Sequence, residues 1–204
     1  MGPKQLPRLF TEPRLVIASH NKGKIAEIAD LLTPYPVDII SIRELNLPEP
    51  EETGRTFIAN AVIKAEAAVA GCGLPSLADD SGLSVEALCG EPGIFSARWA
   101  GPDRDFNLAM TTVNGKLGKN SNRRAHFVSA LAIAWPDGHS ESFEGRIYGN
   151  MIWPPRGSGG FGYDPMFMPD GYDKTFGEIP YDEKQRISHR AAAFQKLVNG
   201  CFQG

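Results

Sequence analysis

The sequence has few cysteines, no long apolar run and no excess of positive charge. Its three cysteines, Cys72, Cys89 and Cys201, are odd in number and far apart, which fits neither a disulfide framework nor the spacing of zinc ligands. A reducing cytoplasm is therefore the simplest location. No segment approaches the roughly 18 apolar residues that span a membrane. Residues 1–13 contain three prolines and no apolar signal-peptide core, so we expect a flexible tail there.

Several common functional signatures are also missing. The net charge of −3 disfavours binding to duplex nucleic acid through phosphate contacts. Ala18 stands where a Walker A loop needs its first glycine, and Ile25 replaces the Ser or Thr that would contact Mg²⁺. There is no GxSxG or HExxH motif. The sequence therefore excludes P-loop chemistry and gives little support to a serine or cysteine triad.

What is present is typical of a compact α/β domain. The chain has 204 residues, 42% of them hydrophobic, which is enough to bury the core of one domain over residues 14–204. Strand-like and helix-like segments interleave irregularly, which predicts a mixed sheet flanked by helices. We expect strands over 15–18, 37–41, 76–78 with an extension over 83–88, 125–134 and 140–147. We expect helices from Ile25, over 56–70 with Gly71 as the stop, over 105–117 and over 188–202.

The junction between segment 15–18 and the next helix carries an unusual charge. Lys22 and Lys24 fall at the positive start of that helix, where an acidic residue would be more favourable. With first-turn N–H groups, the Ser19 hydroxyl and the Asn21 amide, they would form a cradle for phosphate. The alternative is a surface turn that is merely rich in lysine.

The last helix repeats this pattern. Ser188 is a good N-cap, yet His189 and Arg190 occupy the first turn, where cations oppose the helix dipole. Two helices with basic starts predict a cleft that gathers a polyanion.

Paired acidic residues could supply the chemistry. Asp79 and Asp80 follow an apolar strand and precede Gly82, which predicts a turn at the strand end, where α/β proteins often bind ligands. Adjacent carboxylates suit Mg²⁺, and one could deprotonate a water molecule. Glu51 and Glu52 could complete a metal site. The alternative for Asp79 and Asp80 is that an Asp-Ser pair merely caps a turn. The alternative for Glu51 and Glu52 is a solvated surface loop.

A glycine-rich loop follows later in the chain. Residues 157–162 formally match GxGxxG, but prolines at 154, 155 and 165 remove the strand and helix that a dinucleotide fingerprint requires. The loop instead presents Phe161, Tyr163 and Asp164, which could bind a base. A flexible turn with Phe161 in the core is the alternative.

Taken together, these motifs resemble the Ham1/RdgB family of inosine and xanthosine triphosphate pyrophosphatases. The resemblance runs from Leu15 to the last helix, and only the residues before Arg14 lie outside it. It is carried in order by SHNKGK (19–24), EETG (51–54), TFIANA (56–61), ADDSGL (78–83), PGIFSAR (92–98), GGFGYDP (159–165) and ISHR (187–190).

The resemblance implies a two-lobed α/β fold, a homodimer and Mg²⁺-dependent cleavage between the α and β phosphates. It implies that phosphates are contacted by Ser19, His20, Asn21, Lys22, Gly23, Lys24 and Lys64. It implies that Glu51 and Asp80 bind the metal and that Asp80 is the proton acceptor. The nucleotide would be bound by Ser81, Phe161, Gly162, Tyr163, Asp164, Lys184, His189 and Arg190. Ser158 stands where the family pattern has threonine, which keeps the hydroxyl.

The residues suit this chemistry. Lysines and Mg²⁺ stabilise the charge that develops when water attacks an α-phosphorus, and no nucleophilic side chain is needed. Arg190 and His189 can donate hydrogen bonds to a 6-keto purine, which disfavours adenine. Two other readings stay open, namely a pyrophosphatase of broader specificity and a noncatalytic nucleotide sensor.

Overall fold

The computed structural model describes residues 6–203, which form an α/β fold. Its strands are β1 (Arg14–Ile17), β2 (Asp38–Ser41), β3 (Ser76–Val85), β4 (Arg124–Ala134), β5 (Ser140–Met151) and β6 (Phe167–Pro169). Its α-helices are α1 (Lys22–Leu32), α2 (Phe57–Cys72), α3 (Phe106–Leu117), α4 (Tyr181–Ile187) and α5 (His189–Leu197). A π-helical turn, Val198–Phe202, continues α5. No helix in this part of the chain is long and apolar enough to cross a membrane.

The six strands form one mixed sheet in the order β2-β1-β3-β4-β5-β6. β1 is parallel to both β2 and β3, whereas β6 is antiparallel to β5. The predicted mixed α/β sheet is therefore confirmed. The strands predicted over 125–134 and 140–147 are present as β4 and β5, and they flank a tight turn in which the amide of Trp135 donates to the carbonyl of His139.

The chain divides into two compact units. The first comprises the chain up to Asp80, Ala130–Gly145 and the residues from Arg190 onward; the second comprises Ser81–Ser129 and Arg146–His189. The second unit has its own core, in which Leu83, Val113, Phe127, Phe167 and Phe176 are buried together.

In the first unit the sheet separates two different cores. Leu15 and Ile17 of β1 pack with residues of α1 and α5 on one face. Val16 and Ala18 pack on the other face, against the alanines of α2. Because successive side chains of a strand point to opposite faces, one strand serves both cores. The small alanine side chains let α2 lie close to the sheet.

Several predicted boundaries are wrong. The first helix begins at Lys22 rather than Ile25, and β5 runs to Met151 rather than to residue 147. Gly71 does not end α2; the helix runs to Cys72 and ends at Gly73, whose φ of 66° is the left-handed conformation that glycine adopts easily. The predicted last helix over 188–202 is α5 plus its π-helical turn, and a separate helix, α4, precedes it.

Part of the segment 1–13, for which we expect a flexible tail, makes side-chain contacts in the structure. Arg8 forms ion pairs with Glu12 and Asp137. The ring of Phe10 stacks on Phe202 with ring centroids 5.2 Å apart. Residues 1–5 lie outside the described residues. An aromatic and a cationic side chain therefore fix this segment to the first unit.

Candidate active site

The adjacent carboxylates Asp79 and Asp80 lie in the middle of β3 rather than at a turn. The predicted turn is wrong because β3 continues through residues 79–82 to Val85. Both carboxylates are buried. Strand alternation directs neighbouring side chains to opposite faces of the sheet, so each acid meets a different helix. Asp79 faces α1 and α5, whereas Asp80 faces α2.

Asp80 forms a polar cluster with the first turns of α2. Its Oδ1 accepts a hydrogen bond from Lys64 Nζ at 2.8 Å, and its Oδ2 accepts one from Asn60 Nδ2 at 3.3 Å. Lys64 Nζ also donates to Glu52 Oε1 at 2.8 Å. Asn60 and Lys64 are one helical turn apart, so they share the α2 face that meets β3. We call Glu52, Asn60, Lys64 and Asp80 the Asp80 cluster.

The electrostatics of this cluster favour a proton acceptor. Burial raises the pKa of Asp80, and Lys64 and Lys24 only partly oppose that effect. Burial also works against the charge of Lys64, but Asp80 and Glu52 outweigh it, so the pKa of Lys64 is raised. One ammonium is thus shared by two carboxylates, which keeps the lysine charged, and the negative charge of Glu52 adds to the raised pKa of Asp80.

The loop that carries Glu52 approaches α2 closely. A Cβ atom added at Gly54 would lie 2.5 Å from Asn60 Oδ1 and 2.9 Å from the Asn60 backbone nitrogen. Only glycine fits in this position. The close approach places Glu52 on Lys64, while the neighbouring Glu51 is exposed. The acid that the structure brings to the Asp80 cluster is therefore Glu52, not the Glu51 implied by the resemblance.

The cluster contains an oxygen that fits a metal ion or a nucleotide. Asn60 Oδ1 is buried and has no hydrogen-bond partner. Together with Asp80 it offers hard oxygen donors of the kind that Mg²⁺ prefers. Among residues 6–203, no three His, Cys, Asp or Glu side chains gather to hold a metal ion. The donor set fits an ion that takes part of its coordination from substrate phosphates, as Mg²⁺ does in nucleotide enzymes.

Asp79 belongs to a separate charge network. Its Oδ1 lies 2.8 Å from Lys24 Nζ, and its Oδ2 accepts from Arg190 Nε at 3.1 Å. Arg190 Nη1 also donates to the buried Glu27. Burial opposes the charge of Arg190, but Asp79 and Glu27 outweigh it and raise the pKa of the guanidinium. The predicted base-binding Arg190 is thus fully buried and faces two acids of the first unit.

The predicted phosphate cradle is largely occupied by its own side chains. Asn21 is the N-cap of α1, and its Oδ1 accepts from the amides of Gly23 and Lys24. Ser19 Oγ accepts from the amide of Asn21 at 3.2 Å. Lys22 is exposed. The turn is therefore the N-terminal cap of α1. Its cation that contacts β3 is Lys24.

His20 lies in the same turn but faces away from it. Its Nε2 is 3.0 Å from the carbonyl oxygen of Leu47. Its Nδ1 is 4.0 Å from the carboxylate of Glu49. Both ring nitrogens are thus directed at the segment that carries Leu47 and Glu49, and the phosphate contact of His20 stays a prediction.

The second unit holds another buried ion pair. Lys184 Nζ lies 2.6 Å from Asp164 Oδ2, which also accepts from the amide of Phe161 at 2.7 Å. The same ammonium lies 4.7 Å from the centre of the Phe161 ring. Phe161 is only partly buried, so it is the member of this group that can offer a ring face to a ligand.

The remaining predicted residues of this unit are placed differently. Tyr163 is buried and donates to the carbonyl of Ser96 at 2.9 Å, so it supports the core instead of presenting its hydroxyl. His189 is buried against Phe127, with ring centroids 4.9 Å apart. Ser81 and Gly162 are half-buried.

Sequence reasoning missed Glu27. This acid interrupts the apolar stripe of α1 between Ile25 and Ile28, and it is buried there. A buried carboxylate on an otherwise apolar helix face requires a cationic partner. The position of Glu27 in this apolar stripe could therefore have indicated a buried ion pair.

Comparisons with known proteins identify the family of this chain. The sequence model described as the Ham1 family matches residues 15–200. A dITP/XTP pyrophosphatase from Bradyrhizobium is 56% identical, with 93% of this chain and 94% of the relative covered. The dITP/XTP pyrophosphatase from Ruegeria pomeroyi is 52% identical, covering 98% of this chain and 100% of the relative.

Solved structures give the same result. A HAM1 protein from Coxiella burnetii superposes with a TM-score of 0.85 at 38% identity, covering 92% of this chain and 98% of that one. The Staphylococcus aureus Ham1 protein superposes with a TM-score of 0.83 at 40% identity, covering 91% and 96% of the two chains. The protein described here therefore belongs to the Ham1 family.

Proposed function

We propose that this protein hydrolyses non-canonical purine nucleoside triphosphates, namely dITP, ITP and XTP, to the monophosphate and pyrophosphate. The observation that carries the proposal is the Asp80 cluster, in which a buried carboxylate of raised pKa contacts the ammonium of Lys64. Relatives at 52% and 56% identity that are named dITP/XTP pyrophosphatases support the substrate class.

Asp80 acts as the general base in this proposal. It accepts a proton from water while the water oxygen bonds to the α-phosphorus and the bond to the α–β bridging oxygen breaks. Pyrophosphate leaves with the electron pair of that bond. A base is most effective when its pKa is raised toward the working pH, and burial moves Asp80 in that direction.

Lys64 and Lys24 stabilise the charge on the phosphates. The two acids of the Asp80 cluster use two of the three N–H donors of Lys64, so a third can meet a phosphate oxygen. Lys24 is held by Asp79 and keeps 14% of its side chain exposed. A fixed, partly desolvated cation is the arrangement that stabilises a transition state electrostatically.

Asp80 and Asn60 Oδ1 would hold Mg²⁺ together with a glutamate from the loop before α2. The resemblance implies Glu51 for this role, but Glu52 is the acid that contacts Lys64 in the Asp80 cluster. When bound, the ion supplies Lewis-acid stabilisation of the phosphate oxygens. The nucleotide contacts of Ser81, Phe161, Gly162, Tyr163, Asp164, Lys184, His189 and Arg190 stay predictions. Of these, Phe161 has the exposure that base stacking requires.

A substrate panel tests the proposal. The protein is incubated with Mg²⁺ and each of dITP, XTP, dGTP and dATP, and pyrophosphate and inorganic phosphate are measured separately. We expect pyrophosphate from dITP and XTP, with kcat/KM well above that for dGTP and dATP. Release of inorganic phosphate with a diphosphate product, or equal kcat/KM for all four, would contradict the proposal. Asp80→Asn is the control for a contaminating hydrolase.

The homodimer and the cytoplasmic location are part of the same proposal. Cys72, Cys89 and Cys201 are free thiols, which suits a reducing compartment. Light scattering of the purified protein at several concentrations tests the dimer. A mass of about 44 kDa is expected from the 22.2 kDa chain, and a mass of one chain at all concentrations would contradict it.

A further inference from the structure

The acidic loop that carries Glu52 is attached to the rest of the first unit at both of its ends. We define this loop as residues 47–54. At its far end, Gly54 lies against the first turn of α2 and Glu52 bonds to Lys64. At its near end, the side chain of Leu47 fills the space that a Cβ at Gly71 would need, with Leu47 Cδ2 2.8 Å from that position.

His20 provides the polar attachment at the near end. A carbonyl oxygen can only accept, so the 3.0 Å contact to the Leu47 carbonyl requires that Nε2 carries the hydrogen and donates. The other ring nitrogen faces Glu49 at 4.0 Å. Since Glu49 is 47% exposed, that second contact is weak, and the bond to Leu47 is the main one.

We propose that His20 is a positioning residue, whose bond to Leu47 ties the acidic loop to the turn before α1 and so keeps Glu52 on Lys64. The inference rests on the proposed function only for its effect on catalysis. Glu52 shares the ammonium that also bonds to Asp80. If the loop moves away from Lys64, the charge balance around Asp80 changes. The residues before α1 that are predicted to contact phosphate stay in place.

This role differs measurably from a phosphate contact. A phosphate ligand contributes to substrate binding, so its loss raises KM. A residue that orders the Asp80 cluster affects the chemical step, so its loss lowers kcat and leaves KM nearly unchanged. The loss of one ordinary hydrogen bond corresponds to about a fivefold change in an equilibrium.

The experiment compares His20→Ala with His20→Gln in the full chain. Gln keeps a side-chain N–H donor that can reach the Leu47 carbonyl, whereas Ala has none. We expect kcat for dITP to fall about fivefold in His20→Ala at unchanged KM, and to recover in His20→Gln. His139→Ala is the matched control, because His139 also bonds to a glutamate, Glu141, at the surface of the same unit; it should leave kcat and KM unchanged.

Hydrogen exchange of the peptide covering residues 47–54 provides a readout that needs no substrate. We expect faster exchange in His20→Ala, wild-type exchange in His20→Gln, and no change in His139→Ala. Wild-type exchange in His20→Ala would overturn the proposal, and so would a raised KM at constant kcat. If the wild-type protein releases no pyrophosphate, the proposed function fails while the exchange result still decides the role of His20.

Discussion

Asp79 and Asp80 are neighbours on one strand and yet have opposite surroundings. Asp79 faces two cations, Lys24 and Arg190, and Arg190 also contacts a second acid, Glu27. Asp80 shares the single ammonium of Lys64 with Glu52, and burial raises its pKa. The same side chain is thus a counter-ion to two cations on one face of β3 and a carboxylate of raised pKa on the other.

The two acids of β3 are thus expected to differ in whether they affect stability or activity. A buried charge with balanced partners is costly to disturb, because removal of one partner leaves the others uncompensated. A buried carboxylate with too little positive charge is itself unfavourable, which is typical of groups retained for function. We therefore expect mutations at the two positions to affect different properties.

Asp80→Asn should have the largest effect on activity. It removes the proton acceptor while keeping the shape of the side chain, so kcat should fall by roughly two to four orders of magnitude. Because the pKa of Asp80 is raised in the folded chain, its stabilising contribution is complete below the ordinary pKa and is lost as the pH rises through the raised value. At pH 7 the melting temperature of this variant should therefore fall less than that of Asp79→Asn. Wild-type kcat would remove Asp80 from the mechanism.

Asp79→Asn should have the largest effect on stability. It removes the buried carboxylate that contacts both Lys24 and Arg190, and breaking a buried ion pair costs about 3–5 kcal/mol. Urea denaturation followed by circular dichroism measures the change, with Asp80→Asn as the matched control. If the two variants are equally stable, the distinction between the two faces of β3 is wrong.

Gly54→Ala should have an intermediate effect, limited to the Asp80 side. The added methyl group would meet the backbone nitrogen of Asn60 at 2.9 Å, so the loop must move away and take Glu52 with it. A displacement of about 1 Å near reacting groups can cost on the order of 100-fold in rate. We expect kcat to fall roughly tenfold to 100-fold. Gly73→Ala, at the opposite end of α2, tests whether strain at any glycine of this unit has the same effect.

Replacing the helix N-cap residues should have the smallest effect on stability, and the effect should be equal for α1 and α2. Asn21 caps α1, which carries Lys24 and Glu27, and Thr56 caps α2, which carries Lys64. Each change to alanine should cost about 1 kcal/mol of stability, measured by urea denaturation. A much larger loss for Asn21→Ala would show that its side chain supports the Asp79 network as well as the helix.

Local features of the fold could be predicted from the sequence. The hairpin turn at Pro136-Asp137-Gly138 and the helix over Phe106–Leu117, capped by Asp105 and ended by Gly118, depend on neighbouring residues alone. The continuation of β3 through Asp79 and Asp80 could not be predicted in this way. Four polar or small residues in a row are typical of a turn, and they form a strand here because distant residues compensate the buried charges.

The sequence predicted several residues of the candidate site but not which side chains contact each other. Lys24, Lys64 and Asp80 were identified as functional residues, and the structure places all three around residues 79–80 of β3. The choice of Glu52 over Glu51 depends on how closely the loop approaches Asn60, which is a tertiary contact. For the same reason, the burial of Arg190 between two acids could not be deduced from its place in the first turn of a helix.

The pKa of the Asp80 carboxyl group decides whether this carboxylate can serve as the proton acceptor. Carboxyl carbon resonances of the aspartates are followed by NMR as a function of pH in the wild-type protein and in Asp80→Asn. We expect one titration with a midpoint above the ordinary value of about 3.9, and this titration should be absent from the variant. A midpoint for Asp80 at or below that value would refute its assignment as a proton acceptor, because the charged form of the carboxylate would then be stabilised.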